Sequence, residues 1–508
     1  MENRKIQALK ERARRMKVDS IQLKDIELPQ ELASFFNFSF VNQNKVVPVN
    51  LEGDTLSVAM ENPTDLYLVE QMELKTRKKI IPLLADTEDI MTCIHLLYTQ
   101  VTEKDIKIPR LENEDFLRLI KMIDPDTLDW FHRVLAKSIN RQASDLHIET
   151  YENNVKVRIR IDGVIADTVT LPRTMEPQIY TLVKSLADLK LEKRHVPQEG
   201  SFTVKVWERE MSIRVGCLPT FHGERLVLKF LDERQLIKPI AELGITEKDL
   251  GKIEETLKHR SGLFVVSGPS GNGLTATLYS LINYKSRPEI NVITLEDPVE
   301  ASLDSINQIQ VNPQFNMDFP EAINIAMKHV PDVMMISRID NPDTARNSIN
   351  SALRGNLVLA GIYARNAVDV IFRLRDLNIE SSYLALSVIG VISQRLIRKI
   401  CPNCRETVET SQDLLDEFDK YQIDGPYDCV VGKGCSNCLQ TGYRGRIGIY
   451  EFLPVDESFK AHISKNIKRA DLEIEAKRSG MNSLYHNGLI KVARGFTTLT
   501  ELKRILID

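Results

Sequence analysis

Apolar residues along this chain repeat in two rhythms, and the change between them marks its elements. Lys45-Val-Val-Pro-Val-Asn50 and Asp54-Thr-Leu-Ser-Val-Ala-Met60 alternate with the two-residue period of half-buried strands. Val155-Lys-Val-Arg-Ile-Arg-Ile161 alternates as well and meets Asp162-Gly163, a tight hairpin signal. Met211-Ser-Ile-Arg-Val215 and Arg225-Leu-Val-Leu-Lys-Phe230 predict further strands. Beyond residue 236 the alternation gives way to short unbroken apolar runs: Leu263-Phe-Val-Val-Ser267, Asn291-Val-Ile-Thr-Leu295, Val333-Met-Met-Ile336 and Leu357-Val-Leu-Ala-Gly361. Helical stretches separate them, as in a parallel sheet covered on both faces.

These patterns divide the chain. Residues 20–100 predict a small α/β domain, with Asn62-Pro-Thr-Asp65 as a turn capping a helix that begins near Leu66. Residues 101–125 are charged, contain Pro109 and Pro125, and read as a linker. A second α/β domain follows over 126–235, the parallel-sheet domain over 236–400, a cysteine module over 401–440 and a helical region over 441–508. Residues 1–19 predict one basic amphipathic helix, with Ile6, Leu9, Ala13 and Met16 forming a narrow apolar stripe. Two readings of it stay open: a solvated helix packed on its own domain, or docking onto an acidic partner or a membrane surface.

Composition narrows the class. Of the 508 residues, 43% are hydrophobic and 27% charged, ordinary for a globular protein, and the formal charge of −4 gives no nucleic-acid signature. No apolar run reaches the ~18 residues of a membrane span, and no apolar signal-peptide core opens the chain. Seven cysteines are too few for a disulfide scaffold at this length, and four of them stand as two C-x-x-C pairs, which points to metal. Cys401-x-x-Cys404 and Cys435-x-x-Cys438 offer four thiolates to one tetrahedral ion. With every ligand a protein group, no position is open for substrate, so the expected zinc is structural.

The run Phe264-Val-Val-Ser-Gly-Pro-Ser-Gly-Asn-Gly-Leu-Thr275 reads as a buried strand entering a phosphate loop. Gly268, Gly273 and Thr275 fit G-x-x-x-x-G-K-[ST], but Leu274 stands where the pattern has lysine. Ser270 and Gly271 complete the loop, whose glycines let backbone N–H groups approach an anion at a helix N-terminus. A charge-assisted hydrogen bond contributes ~1.5–3 kcal/mol, so the missing lysine weakens phosphate binding by roughly 10–150-fold.

Taken together the motifs resemble the secretion ATPases that power type II secretion and type IV pilus assembly. The resemblance runs from about residue 25 to the C-terminus. It rests on Ala143-Ser-Asp-Leu-His-Ile-Glu149, Val196-Pro-Gln-Glu-Gly200, His222-Gly-Glu-Arg225, Thr294-Leu-Glu-Asp-Pro-Val-Glu300, Gln394-Arg-Leu-Ile-Arg-Lys-Ile-Cys-Pro-Asn-Cys404 and Gly442-Tyr-Arg-Gly-Arg-Ile-Gly448. It implies a multidomain α/β fold: a P-loop RecA-like parallel-sheet domain, small α/β domains before it and a zinc/helical module after it. It implies a hexameric ring, homo- or hetero-oligomeric, peripheral to the cytoplasmic side of the inner membrane. The ring would act on a membrane platform protein and other pilus or secretion components, with no nucleic acid involved. Glu296, Asp297 and Glu300 match the family's acidic box, for which a structural role outweighs a catalytic one here. Arg158 and Arg173 match positions that reach toward a nucleotide, with surface charge as the alternative.

The departures fall at the chemistry. Pro331-Asp-Val-Met-Met-Ile336 matches, but Arg338 stands at the position of the glutamate that polarises the attacking water. Asn356 and Tyr363 replace the two histidines of the family's histidine box, and Asn324, Lys328 and Val330 replace two arginines and an aspartate. Losing a water-positioning group removes ~10²–10⁴ in rate, and phosphoryl transfer depends almost wholly on positioning and charge. The expectation is a hydrolysis-impaired pseudo-ATPase that acts as scaffold or regulator, one suited to a mixed ring with an active paralogous ATPase. ATP and Mg²⁺ binding stay open. So does an alternative in which Arg338 compensates for the missing lysine and the chain turns over, or senses, nucleotide.

Overall fold

The computed structural model describes residues 9, 11–16, 18–23, 30–36, 38–98, 105–108, 123–207, 209–312, 317–465 and 467–506. Much of the helix expected over 1–19 and most of the linker expected over 101–125 lie outside these residues. Residues 11–16 are helical, with Ala13 buried and Arg12 donating to the Glu61 carbonyl at 3.3 Å.

The chain divides into two compact units: 1–156 with 170–210 and 215–226, and 157–169 with 211–214 and 227–508. In the first unit, β1 (Val46–Glu52), β2 (Thr55–Met60) and β3 (Lys79–Leu84) form a three-stranded sheet in that order. β1 and β2 are an antiparallel hairpin, and β3 lies parallel to β2. The crossover is the helix Leu66–Thr76, capped by the Asp65 carboxylate accepting from the Leu68 N–H and buried through Leu68 and Met72.

A seven-stranded sheet follows, built from β4 (Ile106–Lys107), β5 (Asp145–Thr150), β6 (Asn154–Ile161), β7 (Val164–Pro172), β8 (Gln198–Val206), β9 (Arg209–Thr220) and β10 (Gly223–Leu231). Its order is β4-β8-β9-β10-β5-β6-β7. The β6–β7 turn is Asp162-Gly163, with φ of +50° and +84°, as a tight two-residue hairpin requires. β4 comes from inside the expected linker and pairs with β8.

The third sheet carries β11 (Gly262–Ser267), β12 (Val292–Glu296), β13 (Asn307–Gln310), β14 (Val333–Ile336), β15 (Leu357–Ile362), β16 (Val388–Ile400) and, after the two short strands β17 (Arg405–Thr407) and β18 (Val430–Gly432), β19 (Tyr443–Pro454). The order is β13-β12-β14-β15-β11-β16-β19. Pairing is parallel from β13 through β16, and every residue of β11, β12, β14 and β15 is buried. That is why those runs do not alternate. β19 returns antiparallel to β16, so residues 441–508 are not helical throughout. Its opening Tyr443-Arg-Gly-Arg alternates charge with glycine rather than apolar with polar residues, so the strand carries no periodic signal.

The last helix, Leu499–Leu506, is pinned to β16 by one carboxylate. Glu501 accepts from the Arg398 backbone N–H at 3.1 Å, from Arg398 Nη2 at 2.7 Å and from Arg504 Nε and Nη2 at 2.7 Å each. Burial would raise its pKa, but the two guanidiniums prevail and hold the carboxyl down at about 2. A folded-state value below the unfolded one stabilises above the ordinary carboxyl range and is lost as pH falls through it. Glu501→Gln should therefore cost about 3 kcal/mol at neutral pH. Urea unfolding followed from pH 7 downward should show wild type and variant converging between about pH 4.5 and 2.

Candidate nucleotide site and cysteine cluster

In a parallel sheet the loops after the strands gather at one edge, where ligands bind in open α/β folds. Here that edge receives the turn Gly268–Gly273 after β11, the acidic segment after β12, Arg338 after β14 and Tyr363 after β15. The helix Leu274–Lys285 starts from the turn and is called the loop helix below. Gly273 caps it at φ +83°, a conformation that favours glycine. At Gly268 a Cβ would stand 2.7 Å from the Gln394 carbonyl, so glycine is required there by close approach. Ser270 and Gly271 are exposed at the tip.

The turn is tied to β16. Gln394 Nε2 donates to the Asn272 carbonyl at 2.7 Å, and the Leu396 N–H donates to Asn272 Oδ1 at 3.0 Å. Leu274 packs against the apolar cluster that contains Val266, Leu278 and Ile392. Its Cδ1 lies 3.3 Å from where a Gly268 Cβ would stand, so the side chain folds back against the start of the turn. A lysine there would bring an ammonium to the phosphates; the leucine brings contact with its own core.

Glu296 ends β12 almost wholly buried, and three side chains satisfy it. Tyr279 of the loop helix donates its hydroxyl to Oε2 at 2.5 Å, Thr294 donates to Oε1 at 2.6 Å and Gln308 of β13 donates to Oε1 at 3.0 Å. The Tyr279 oxygen in turn accepts the N–H groups of Glu300 and Ala301 at 3.1 and 3.4 Å. Burial first, and the Glu296 carboxylate second, push the Tyr279 hydroxyl well above its ordinary pKa, so it stays protonated. One hydroxyl thus fixes the acidic segment against the loop helix. Glu300 Oε1 accepts from Thr275 Oγ1 at 3.4 Å, and Arg214 Nη2 reaches the Val299 carbonyl at 2.6 Å.

Arg338 is engaged on both sides. Its Nη2 lies 2.8 Å from Asp297 Oδ2, its Nε 3.1 Å from Asp340 Oδ2, and its guanidinium 5.8 Å from the Phe319 ring centre. Tyr363 is half exposed at the same edge. Asn356 does not join it. The Gly262 N–H donates to the Asn356 carbonyl at 3.1 Å, at the start of β11, and the amide side chain donates to the Pro331 carbonyl. The six residues of β11, about 20 Å at ~3.3 Å each, separate that position from the turn. Of the two arginines, Arg158 is half-buried on β6 in the second unit. Arg173 belongs to the first unit, where it donates to the Tyr151 and His222 carbonyls at 2.6 Å each and lies 3.3 Å from Glu176.

Sequence reading missed Tyr279, Gln308, Asn272, Gln394 and Arg214 as parts of this edge. Each acts through a backbone group or a buried carboxylate, contacts that leave no spacing pattern in the chain.

The four cysteines lie together. Every Sγ is within 4.8 Å of the others, with 3.9 Å for Cys401–Cys435, 3.8 Å for Cys404–Cys438 and 3.7 Å for Cys435–Cys438. A tetrahedron with metal–sulfur bonds of ~2.3 Å has edges of about 3.8 Å, so the set can hold a metal ion. The Cys435 and Gly442 N–H groups donate to Cys438 Sγ at 3.2 and 3.3 Å. Against the desolvation that would raise it, these amides hold the Cys438 thiol down at about 6, toward the ligating thiolate. Burial pushes Cys401 up to about 12 without an ion.

The comparisons bear on the family and the fold. The family described as Type II/IV secretion system protein matches residues 127–504, and the MshEN domain matches residues 16–103. The chain belongs to the Type II/IV secretion system protein family. It is 31% identical to the type IV pilus assembly ATPase PilB of Myxococcus xanthus, covering 96% of this chain and 88% of that one. It is also 31% identical to the type II secretion system protein E of Xanthomonas campestris pv. campestris, covering 97% and 88%. Among solved structures, the pilus retraction motor PilT with bound ADP aligns with a TM-score of 0.51 at 22% identity, over 73% of this chain and 95% of that one. The Legionella pneumophila ATPase DotB aligns with 0.54 at 15%, over 74% and 94%. These two likenesses concern the fold alone.

The Glu296 network makes a stability prediction. Glu296→Ala leaves the buried Tyr279 and Thr294 hydroxyls without this acceptor, each costing ~1–3 kcal/mol, while the half-buried Gln308 amide keeps the Ala301 carbonyl. Thermal unfolding should fall by about 6 °C or more, with Glu296→Gln between the variant and wild type.

Proposed function

We propose that this chain is a hydrolysis-impaired member of its family, a pseudo-ATPase serving as scaffold or regulatory component of pilus or secretion machinery. The observation that carries the reading is the state of the loop edge. Leu274 is turned into apolar contact, and the cation at Arg338 is committed to Asp297 and Asp340. No carboxylate stands at the Arg338 position to orient water, and the charge that would replace the lysine already has two anionic partners. Such a chain would join a hexameric ring, alone or with an active paralogous ATPase, peripheral to the inner membrane and against its platform protein. Among the described residues no helix is long and apolar enough to cross a membrane.

A second reading, nucleotide binding without turnover, is favoured by one feature. The turn keeps its glycine backbone at a helix N-terminus, and Thr275 stays beside Glu300 in a place suited to Mg²⁺. Heat on titration with ATP and Mg²⁺, reduced in Arg338→Ala, would support the version in which Arg338 meets the phosphates. No heat from either protein removes it. For the cysteine cluster we propose structural zinc, held by Cys401, Cys404, Cys435 and Cys438.

Two outcomes test these readings. At saturating ATP and Mg²⁺, steady-state phosphate release should stay below about 10⁻³ s⁻¹. Asp297→Ala should not change it; turnover that this substitution abolishes would establish the working enzyme instead. Purified protein should contain one zinc per chain by elemental analysis, and Cys404→Ser should lose it together with several degrees of thermal stability. Metal-free protein of unchanged stability would contradict the zinc assignment.

A further inference from the structure

A cavity in the first compact unit takes no part in the chemistry of the loop edge. It measures about 310 Å³ and lies between the helix Glu176–Leu186, the stretch 191–195 and the β9–β10 turn. All of its lining residues belong to that one unit. Small-molecule sites begin at about this size.

Glu176, Tyr180 and Lys184 line the cavity at four-residue spacing, so one face of the helix supplies them. Lys184 is almost wholly buried, and its ammonium lies 2.8 Å from Glu224 Oε1 on β10. Cys217 Sγ donates to the same oxygen at 3.0 Å. Burial first, and that carboxylate second, push the Cys217 thiol up to about 12, so it remains a donor. Two N–H groups of Lys184 and the Oε2 atom of Glu224 have no partner among the described residues. Withdrawing both charges from water is costly, and a pair that leaves donors and an acceptor unspent is a poor way to hold a fold. It is a good way to read a ligand. An ammonium donor beside a carboxylate acceptor matches the adjacent acceptor and donor on the edge of a nucleobase.

The mouth of the cavity supplies charge and a ring. Arg194 is exposed, lines the cavity and forms no ion pair among the described residues. Of the two acids in the lining, Glu176 is met by Arg173 at 3.3 Å and Glu224 by Lys184. The charge left over is therefore the Arg194 guanidinium, flanked in sequence by Lys190 and Lys193 against Glu192, and it suits an anion. Phe221 is 97% exposed at the β9–β10 turn and lines the same cavity, with its ring edge-on to His222 at 5.0 Å. A phenyl ring held in water beside a cavity is a platform on which a planar ligand can stack.

We propose that this cavity binds a nucleoside monophosphate. The base stacks on Phe221, its edge accepts from Lys184 and donates to Glu224, and Arg194 takes the phosphate. The site is separate from the loop edge, and the proposal is independent of whether that edge binds or turns over nucleotide.

The test uses the full chain without Mg²⁺. Isothermal titration should show saturable binding of AMP or GMP. Ribose 5-phosphate, which lacks the base, and the nucleosides, which lack the phosphate, should bind at least about tenfold more weakly. Arg194→Ala and Phe221→Ala, both at exposed positions, should each weaken the monophosphate about tenfold and leave the thermal midpoint of the free protein within about 1 °C. Irradiation with 8-azido-AMP should label peptides from 176–195 or 219–224. No heat with either nucleotide, equal binding of ribose 5-phosphate, indifference to both substitutions, or label confined to 268–275 would overturn the proposal. So would self-association of the wild type that Phe221→Ala abolishes, since a second copy would then be the occupant.

Discussion

A buried carboxylate must find hydrogen bonds, and the loop edge is organised around how Glu296 finds them. Its three donors come from the loop helix, from β12 itself and from β13. The tyrosine among them also accepts two amides of the acidic segment, so that segment is fixed relative to the helix. From there the consequences follow in sequence. Asp297 stands where Arg338 reaches it, and Glu300 stands where Thr275 reaches it. Glu296 thus holds architecture, because removing it would leave the helix, two strands and the acidic segment without their common anchor.

The same edge explains how a phosphate loop survives the loss of its lysine. Its shape depends on backbone contacts with β16 through Asn272, Gln394 and Leu396, and on the glycine at Gly268 that the Gln394 carbonyl demands. None of these needs a cation at position 274. A leucine there finds apolar neighbours, so it fits the fold at little cost while bringing no cation to an anion at the turn. Structure and chemistry separate cleanly at this residue.

Much of this was legible in the chain. Unbroken apolar runs located β11, β12, β14 and β15, because a strand buried on both faces has no polar position to show. Asp162-Gly163 marked its hairpin, and the two C-x-x-C pairs marked the sulfur cluster. What stayed hidden was long-range pairing: β4 inside an apparent linker, β19 behind a run of arginine and glycine, and the Glu501 clamp joining the last helix to β16. The candidate site was legible by motif but not by position. Asn356 stands where the resemblance implies a site residue, yet it lies a strand's length from the turn, and the sequence, which put Arg338 at the glutamate position, did not show its two carboxylate partners, Asp297 and Asp340.

The central claim is that an intact scaffold here holds a chemically silent edge. The most direct measurement is a single-turnover experiment with the protein in excess over ATP and Mg²⁺, which detects one round of cleavage even when products fail to leave. The account predicts no ADP formation above the uncatalysed background. A cleavage phase present in the wild type and absent in Arg338→Ala would contradict it, since the arginine would then be supplying what Leu274 lost.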